Sequence, residues 1–176
     1  MAGEVVIRGP RLVLRPLRTA EIDAEWQAMV AADPISIGVL PDESAFRARL
    51  ARSGQMRDGW LDLAIDLDGT SIGRIQTFVP PRRPLPPGTF DIGIELRSGV
   101  RGQGYGREAL ALFAGWLFEQ RGAQVVEAGT DAANHAMRSV FGHVGWHEDG
   151  IITEIGRDWV MYRMTRADWE AGRAAR

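Results

Sequence analysis

Three glycines within five residues, in the run Arg101-Gly102-Gln103-Gly104-Tyr105-Gly106, constrain this chain more than any other feature. A strand-like run, Phe90 to Leu96, precedes them and an apolar helical pattern, Glu108 to Gln120, follows, so they stand where a strand hands over to a helix. Glycine takes backbone conformations closed to other residues, and the helix adds unpaired N–H groups and the positive end of its dipole. Such a turn suits an anion, and a phosphate or diphosphate is its natural guest.

Two nucleotide readings fail on spacing. A P-loop requires Gly-x-x-x-x-Gly-Lys-Ser/Thr, and no Lys-Ser or Lys-Thr follows here. A dinucleotide turn requires Gly-x-Gly-x-x-Gly with an acidic residue about 20 positions on, but Arg107 holds the third glycine position and Gln124 stands near the acidic one. The run instead resembles the acetyl-CoA loop of the GNAT superfamily of N-acetyltransferases, whose pattern Arg/Gln-x-x-Gly-x-Gly/Ala is filled by Arg101, Gly104 and Gly106. The wider stretch from Asp91-Ile92-Gly93 to Glu108-Ala109-Leu110 is similar to the branch containing ribosomal-protein alanine and spermidine N-acetyltransferases. The resemblance spans roughly residues 8 to 165, and the stretch around the loop is its specific part.

The 176 residues suit a single domain over 1–176. The chain has no cysteine, which excludes disulfides, thiolate zinc sites and a cysteine nucleophile. A net charge of −2 gives no general pull toward nucleic acid or an anionic membrane. His135, His143 and His147 do not form a metal cluster by spacing, so no metal is expected. Met1 to Pro10 lacks a signal pattern, and the longest apolar run, Ala109 to Phe118, is too short to span a bilayer. A cytoplasmic protein is the default expectation.

Along the chain, Arg11 to Leu17 reads as a strand, and Thr19 offers an N-cap to a helix from Ala20 to about Ala32, stopped by Asp33-Pro34. Ile35 to Pro41 reads as a loop, and a second helix starts at Asp42 or Ser44 with Phe46 and Leu50 on its inner face. Trp60 to Leu67 and Thr70 to Val79 alternate with period two about Asp68-Gly69, a strong hairpin signal. Pro80 to Gly88 is a stiff connection whose Arg82-Arg83 pair reads most simply as solvated. Thr89 to Leu96 is the strand before the glycines, and Gly122 is the C-cap of the helix after them. Gln124 to Ala128 reads as a short strand, and Asp131 as the cap of a helix carrying Met137, Val140 and Phe141. Ile151 to Ile155 and Trp159 to Met164 read as a closing hairpin, with a frayed tail from Arg166.

The resemblance implies the rest as expectations. The fold is α+β in α/β/α layers, a mixed, mostly antiparallel sheet of about six or seven strands with a splayed central pair, flanked by about four helices. Acetyl-CoA is the implied co-substrate, held by Arg101, Gly102, Gln103, Gly104, Tyr105, Gly106 and Arg107, with Asn134 on the pantetheine arm and the Leu96 N–H aimed at the thioester carbonyl. Asp91 and Glu95 lie on one strand face as candidate bases, and Trp26, Asp33 and Glu43 are candidates to line an acceptor pocket. The tyrosine that often protonates the departing thiolate is replaced by Phe141, and Met137 stands where a related branch carries serine. The acceptor is a primary amine, on a small molecule or at a protein N-terminus, with a non-catalytic acyl-CoA sensor as the alternative. Monomer and homodimer both remain open.

Overall fold

Residues of alternating polarity build most of this structure. In the computed structural model, which describes residues 3–31, 41–80, 83–154 and 156–175, they form β1 (Ile7–Arg8), β2 (Leu12–Arg15), β3 (Leu61–Leu67), β4 (Thr70–Phe78), β5 (Thr89–Leu96), β6 (Val125–Asp131), β7 (His147–Glu154) and β8 (Arg157–Thr165). The helices are α1 (Thr19–Ala31), α2 (Glu43–Leu50), α3 (Tyr105–Gln120), α4 (His135–His143) and α5 (Arg166–Ala174). One sheet runs in the order β1-β2-β3-β4-β5-β6-β8-β7. Every neighbouring pair is antiparallel except β5 and β6. This is the expected α+β architecture, but with eight strands and five helices among the described residues where about six or seven and about four were expected; the additions are the short edge strand β1 and the C-terminal helix α5.

The turn between β3 and β4 shows the local chemistry at work. Asp68 and Gly69 both have positive φ, 51° and 86°, as a two-residue type I′ turn requires, and Asp66 Oδ1 accepts from the Gly69 N–H at 2.7 Å. The two sheet faces then differ sharply. Leu61, Leu63, Ile65, Ile75, Ile92 and Val126 pack with α3 in the main core, where Leu110, Phe113 and Leu117 are fully buried. The opposite face carries Asp62, Arg74, Gln76, Asp91, Glu95 and Glu127, brought side by side by strand register. Over that polar face, α1 and α2 make their own smaller cluster of Ile22, Trp26, Phe46 and Leu50.

Several boundaries depart from the sequence expectation. The β6 strand runs three residues past Ala128, to Asp131, because β8 pairs with it along its whole length. Asn134, not Asp131, caps α4, its Oδ1 accepting from the Met137 N–H at 3.1 Å. Asp131 instead accepts from the Ala133 N–H at 2.8 Å, shaping the turn just before that helix. The segment after Arg166 is the helix α5 and not a frayed tail. Its start is a reciprocal capping box between Thr165 and Asp168, and Trp169 stacks on Phe118 with ring centroids 5.1 Å apart. The helix stop at Asp33-Pro34, the loop from Ile35, Arg82 and Ile155 lie outside the described residues. Among the described residues no helix is long and apolar enough to cross a membrane.

The cap makes α5 testable. Thr165→Ala removes one half of the box and should cost about 1 kcal/mol, read as a lower urea midpoint with Trp169 fluorescence shifting toward its solvent-exposed value. An unchanged midpoint would mean that the contacts of α5 with α3, from Arg166, Trp169 and Arg173, hold it without the cap.

Candidate active site

The site grows from one break in the sheet. Parallel pairing of β5 with β6 covers only Thr89, Phe90 and Asp91 against Val125, Val126 and Glu127. Both strands continue, to Leu96 and Asp131, with no further rungs between them. On its other side β5 stays paired with β4 to Leu96, and the Arg97 N–H donates to the Ile72 carbonyl at 3.0 Å. Antiparallel bonding alternates along a strand, so the odd-numbered residues of β5 bond β4 while Ile94 and Leu96 turn their main-chain groups toward the gap. Arg101 Nε donates to the Leu96 carbonyl at 3.0 Å.

At the open end stands the glycine turn. A short 3-10 turn, Ser98–Val100, leads into it. Gly102 and Gly104 have φ of +78° and +81°, values that disfavour any side chain, and Gly104 is the N-cap of α3. Gly106 packs its bare Cα near Leu96, whose Cδ1 lies 3.4 Å from where a Cβ would be. The Glu108 N–H makes the first helical bond, to the Gly104 carbonyl at 3.1 Å. The amides of Tyr105, Gly106 and Arg107 therefore belong to the helix end that has no intrahelical partner. A 16-residue helix backs them with its dipole.

At the closed end is a buried ionic cluster. Asp91 and Glu127, cross-strand neighbours exposed to only 3% and 7%, both bind Arg83, which donates from Nη2 to Asp91 Oδ2 at 2.7 Å and from Nη1 to Glu127 Oε1. Arg83 is thus a half-buried counter-ion and not the solvated loop residue its neighbours suggest. Glu95, four residues beyond Asp91 on the same face, is exposed. Asn134 is exposed at the start of α4; with Oδ1 engaged by the helix, its amide N–H donors project from it. Phe141 is buried in an aromatic stack, 4.8 Å from Tyr162 and 5.3 Å from Trp146 by ring centroids.

The α1–α2 side is held by charge. Arg74 donates to Asp62 Oδ1 at 2.7 Å and to Glu25 Oε2 at 3.4 Å, and it also binds Gln76. Arg97 reaches Glu25 Oε1 at 3.3 Å, and Arg49 lies 3.3 Å from Asp62. Burial pushes the Glu25 carboxyl above its ordinary value; Arg74 and Arg97 pull against that shift, and the nearby charge of Glu95 adds to it. Trp26 is buried against Phe46 at 5.6 Å, and Glu43 pairs with Arg47 at 2.7 Å in the first turn of α2. Asp33 lies outside the described residues. Glu25, Asp62, Arg74 and Glu127 were missed by the sequence reading. Their signal is a charge at an inward position, as where Glu25 shares the α1 face of Ile22 and Trp26.

A family model described as an acetyltransferase (GNAT) domain matches residues 11–147. The chain belongs to that family and is an acyltransferase. No curated protein matches it by sequence. Solved structures share its fold: an acetyltransferase from Agrobacterium tumefaciens str. C58 at 23% identity and TM-score 0.74, covering 94% of this chain and 97% of that one. The aminoglycoside acetyltransferase AAC(6')-Ib in complex with coenzyme A aligns at 17% identity and TM-score 0.75 over 92% and 99%. RimL, a ribosomal α-N-protein acetyltransferase in complex with coenzyme A, aligns at 15% and TM-score 0.72, over 92% and 98%.

The buried carboxyl of Glu25 gives a signed pH dependence. A carboxyl whose folded value is raised carries stability that is full below the unfolded value, near 4.3, and is lost as pH climbs toward the folded one. Glu25→Gln cannot ionise, so its stability relative to the parent should rise with pH across that window in paired urea titrations. A falling difference would mean that the two arginines outweigh burial.

Proposed function

We propose that this protein transfers an acetyl group from acetyl-CoA to a primary amine by direct attack in a ternary complex. The observation that carries the reading is the gap between β5 and β6, which opens onto the glycine turn and presents the main-chain edge of Ile94 and Leu96. The turn and the first amides of α3 suit the diphosphate of the co-substrate. The pantetheine arm adds along β5 as an extra strand would, with the Asn134 amide donating to it. The Leu96 N–H then faces the thioester oxygen, where negative charge gathers as the amine attacks. The absence of cysteine leaves no thiol to carry a covalent acyl intermediate.

The amine must shed a proton first. A lysine-like amine pays about 4–5 kcal/mol at pH 7 and an α-amine about 1.4, so a base matters most for the more basic acceptors. Glu95 is the better placed candidate, exposed beside the gap, whereas Asp91 is held by Arg83. Phe141 and Met137 offer no proton to the departing thiolate. A thiol pKa near 8.5 makes unassisted departure only about 2 kcal/mol worse than protonation at pH 7. A small amine and a protein N-terminus both remain acceptor classes here, the two that AAC(6')-Ib and RimL represent among the structural neighbours.

Calorimetry with CoA and acetyl-CoA, followed by thiol release against pooled small amines and peptide N-termini, tests the proposal. Binding with release is expected; binding without release across a broad panel would favour the sensor reading, and no binding would remove the loop assignment. Gly104→Glu should abolish binding, because a side chain at a φ of +81° strains the turn whose amides face the ligand, and the new carboxylate adds negative charge next to it. Unchanged affinity in that variant would count against the site.

The two acids separate by pH profile. Replacing the true base, by Glu95→Gln or Asp91→Asn, should lower turnover about a hundredfold, with the deficit largest below pH 8. A loss equal at every pH would assign that carboxylate a structural role.

A further inference from the structure

The glycine turn is gripped from outside by one residue far away in sequence. Arg11, just before β2, donates from Nη1 to the Gln103 carbonyl at 3.2 Å and from Nε to Glu108 Oε2 at 2.7 Å. Its guanidinium carbon also lies 4.8 Å from the centre of the Tyr105 ring. The main chain completes the joint: the N–H groups of Arg11 and Leu12 donate to Glu108 Oε1 at 2.9 and 3.0 Å. The first turn of α3 and the middle of the glycine turn are thereby tied to β2 by a single side-chain pair.

We infer that Arg11 is a positioning residue for the co-substrate, gripping the Gln103 carbonyl so that the Gly104 N–H is aimed at the diphosphate. The inference rests on the acetyl-CoA reading of the loop given above. Its physical core is the planarity of the peptide unit. In a trans peptide the carbonyl and the following N–H point in opposite directions, so holding Gln103 O fixes where the Gly104 amide points. With φ of +81° and no side chain, Gly104 could otherwise rotate at little cost. Arg11 Nη2 stands 3.5 Å from where a Gly104 Cβ would be, so the grip closes directly over the bare residue. The arginine side chain is 48% exposed and lies on the opposite side of the Gln103–Gly104 peptide from the ligand, so it acts through the amide and not by touching the diphosphate. A preset amide loses less freedom when the ligand arrives.

Glu108 is the part that keeps the arginine in place. Burial raises its carboxyl, but the hydrogen bonds from Arg11 and Leu12 outweigh this and hold it below the ordinary glutamate value. It therefore stays ionised, and the Arg11 pair intact, throughout the neutral range.

The test compares two acetyl donors, acetyl-CoA and S-acetylpantetheine, which lacks the diphosphate. Arg11→Gln should raise KM for acetyl-CoA about ten- to hundredfold, the size of one lost charge-assisted hydrogen bond, with a much smaller change in kcat. Its KM for S-acetylpantetheine should stay within about twofold. Equal losses with both donors would make Arg11 a plain structural tie and overturn the inference, as would an unchanged KM for acetyl-CoA. Arg11→Lys, which keeps the charge but not the planar fork, should recover only part of the affinity; full recovery would show that charge alone matters and overturn the aiming role. Should either variant fail to fold, the parent protein decides. On adding CoA to ¹⁵N-labelled protein, the Gly104 amide should shift downfield while the Arg11 Nε signal stays bonded, and a static Gly104 amide overturns the proposal. If the parent binds no CoA, the loop assignment itself falls; if it binds and the Arg11 variants bind equally well, only the role of Arg11 falls.

Discussion

The site depends on β5 and β6 ceasing to pair after Asp91 and Glu127. A parallel pair that continued to Leu96 would satisfy both strand edges and leave no main-chain groups to offer a ligand. The break is sustained because each strand keeps its other neighbour, β4 on one side and β8 on the other, so neither loses its place in the sheet. Arg83 draws the last paired rung together by binding both of its carboxylates. Beyond that rung a wedge of open backbone leads to the glycine turn, and most of the proposed chemistry takes place along it.

The two faces of the sheet solve different problems. The α3 face is apolar and closely packed, which fixes the helix whose first turn follows the glycine turn and is proposed to hold the diphosphate. The α1–α2 face is joined to its helices largely through Arg74, Glu25, Asp62, Arg49 and Arg97, beside a small separate cluster around Trp26 and Phe46. Buried ion pairs return little net stability once desolvation is counted, but they restrict which arrangements satisfy every charge. A polar interface there also leaves ionisable groups next to the open cleft, where the proposed attack by an amine calls for them.

Much of the fold was legible because its signals are local. The glycine turn, the Asp68-Gly69 hairpin, the start of α2 at Asp42 or Ser44, where Asp42 proves to be the cap, and the strand Thr89–Leu96 are each set by a few consecutive residues. The errors came where a local signal was weak or ambiguous. Asp131 and Asn134 are both good capping residues three positions apart, and the choice between them came from how far β8 extends β6. The helix after Arg166 depends on a capping box and on a tryptophan that finds Phe118, about fifty positions earlier. Arg83 looked solvated because nothing near it in sequence shows that two buried acids await it.

The sequence by itself determined the order of the elements from β2 to β8, the glycine turn and the family, since these rest on spacing and on backbone freedom at particular glycines. Only the tertiary structure decided which charges meet: Arg11 with Glu108 across 97 positions, Arg83 with Asp91 and Glu127, and Arg74 with Glu25 and Asp62. The reason is physical. A turn or a cap is written in neighbouring residues whose energies act over a few bonds, whereas an ion pair acts through space and takes its partner from whatever the sheet register brings alongside.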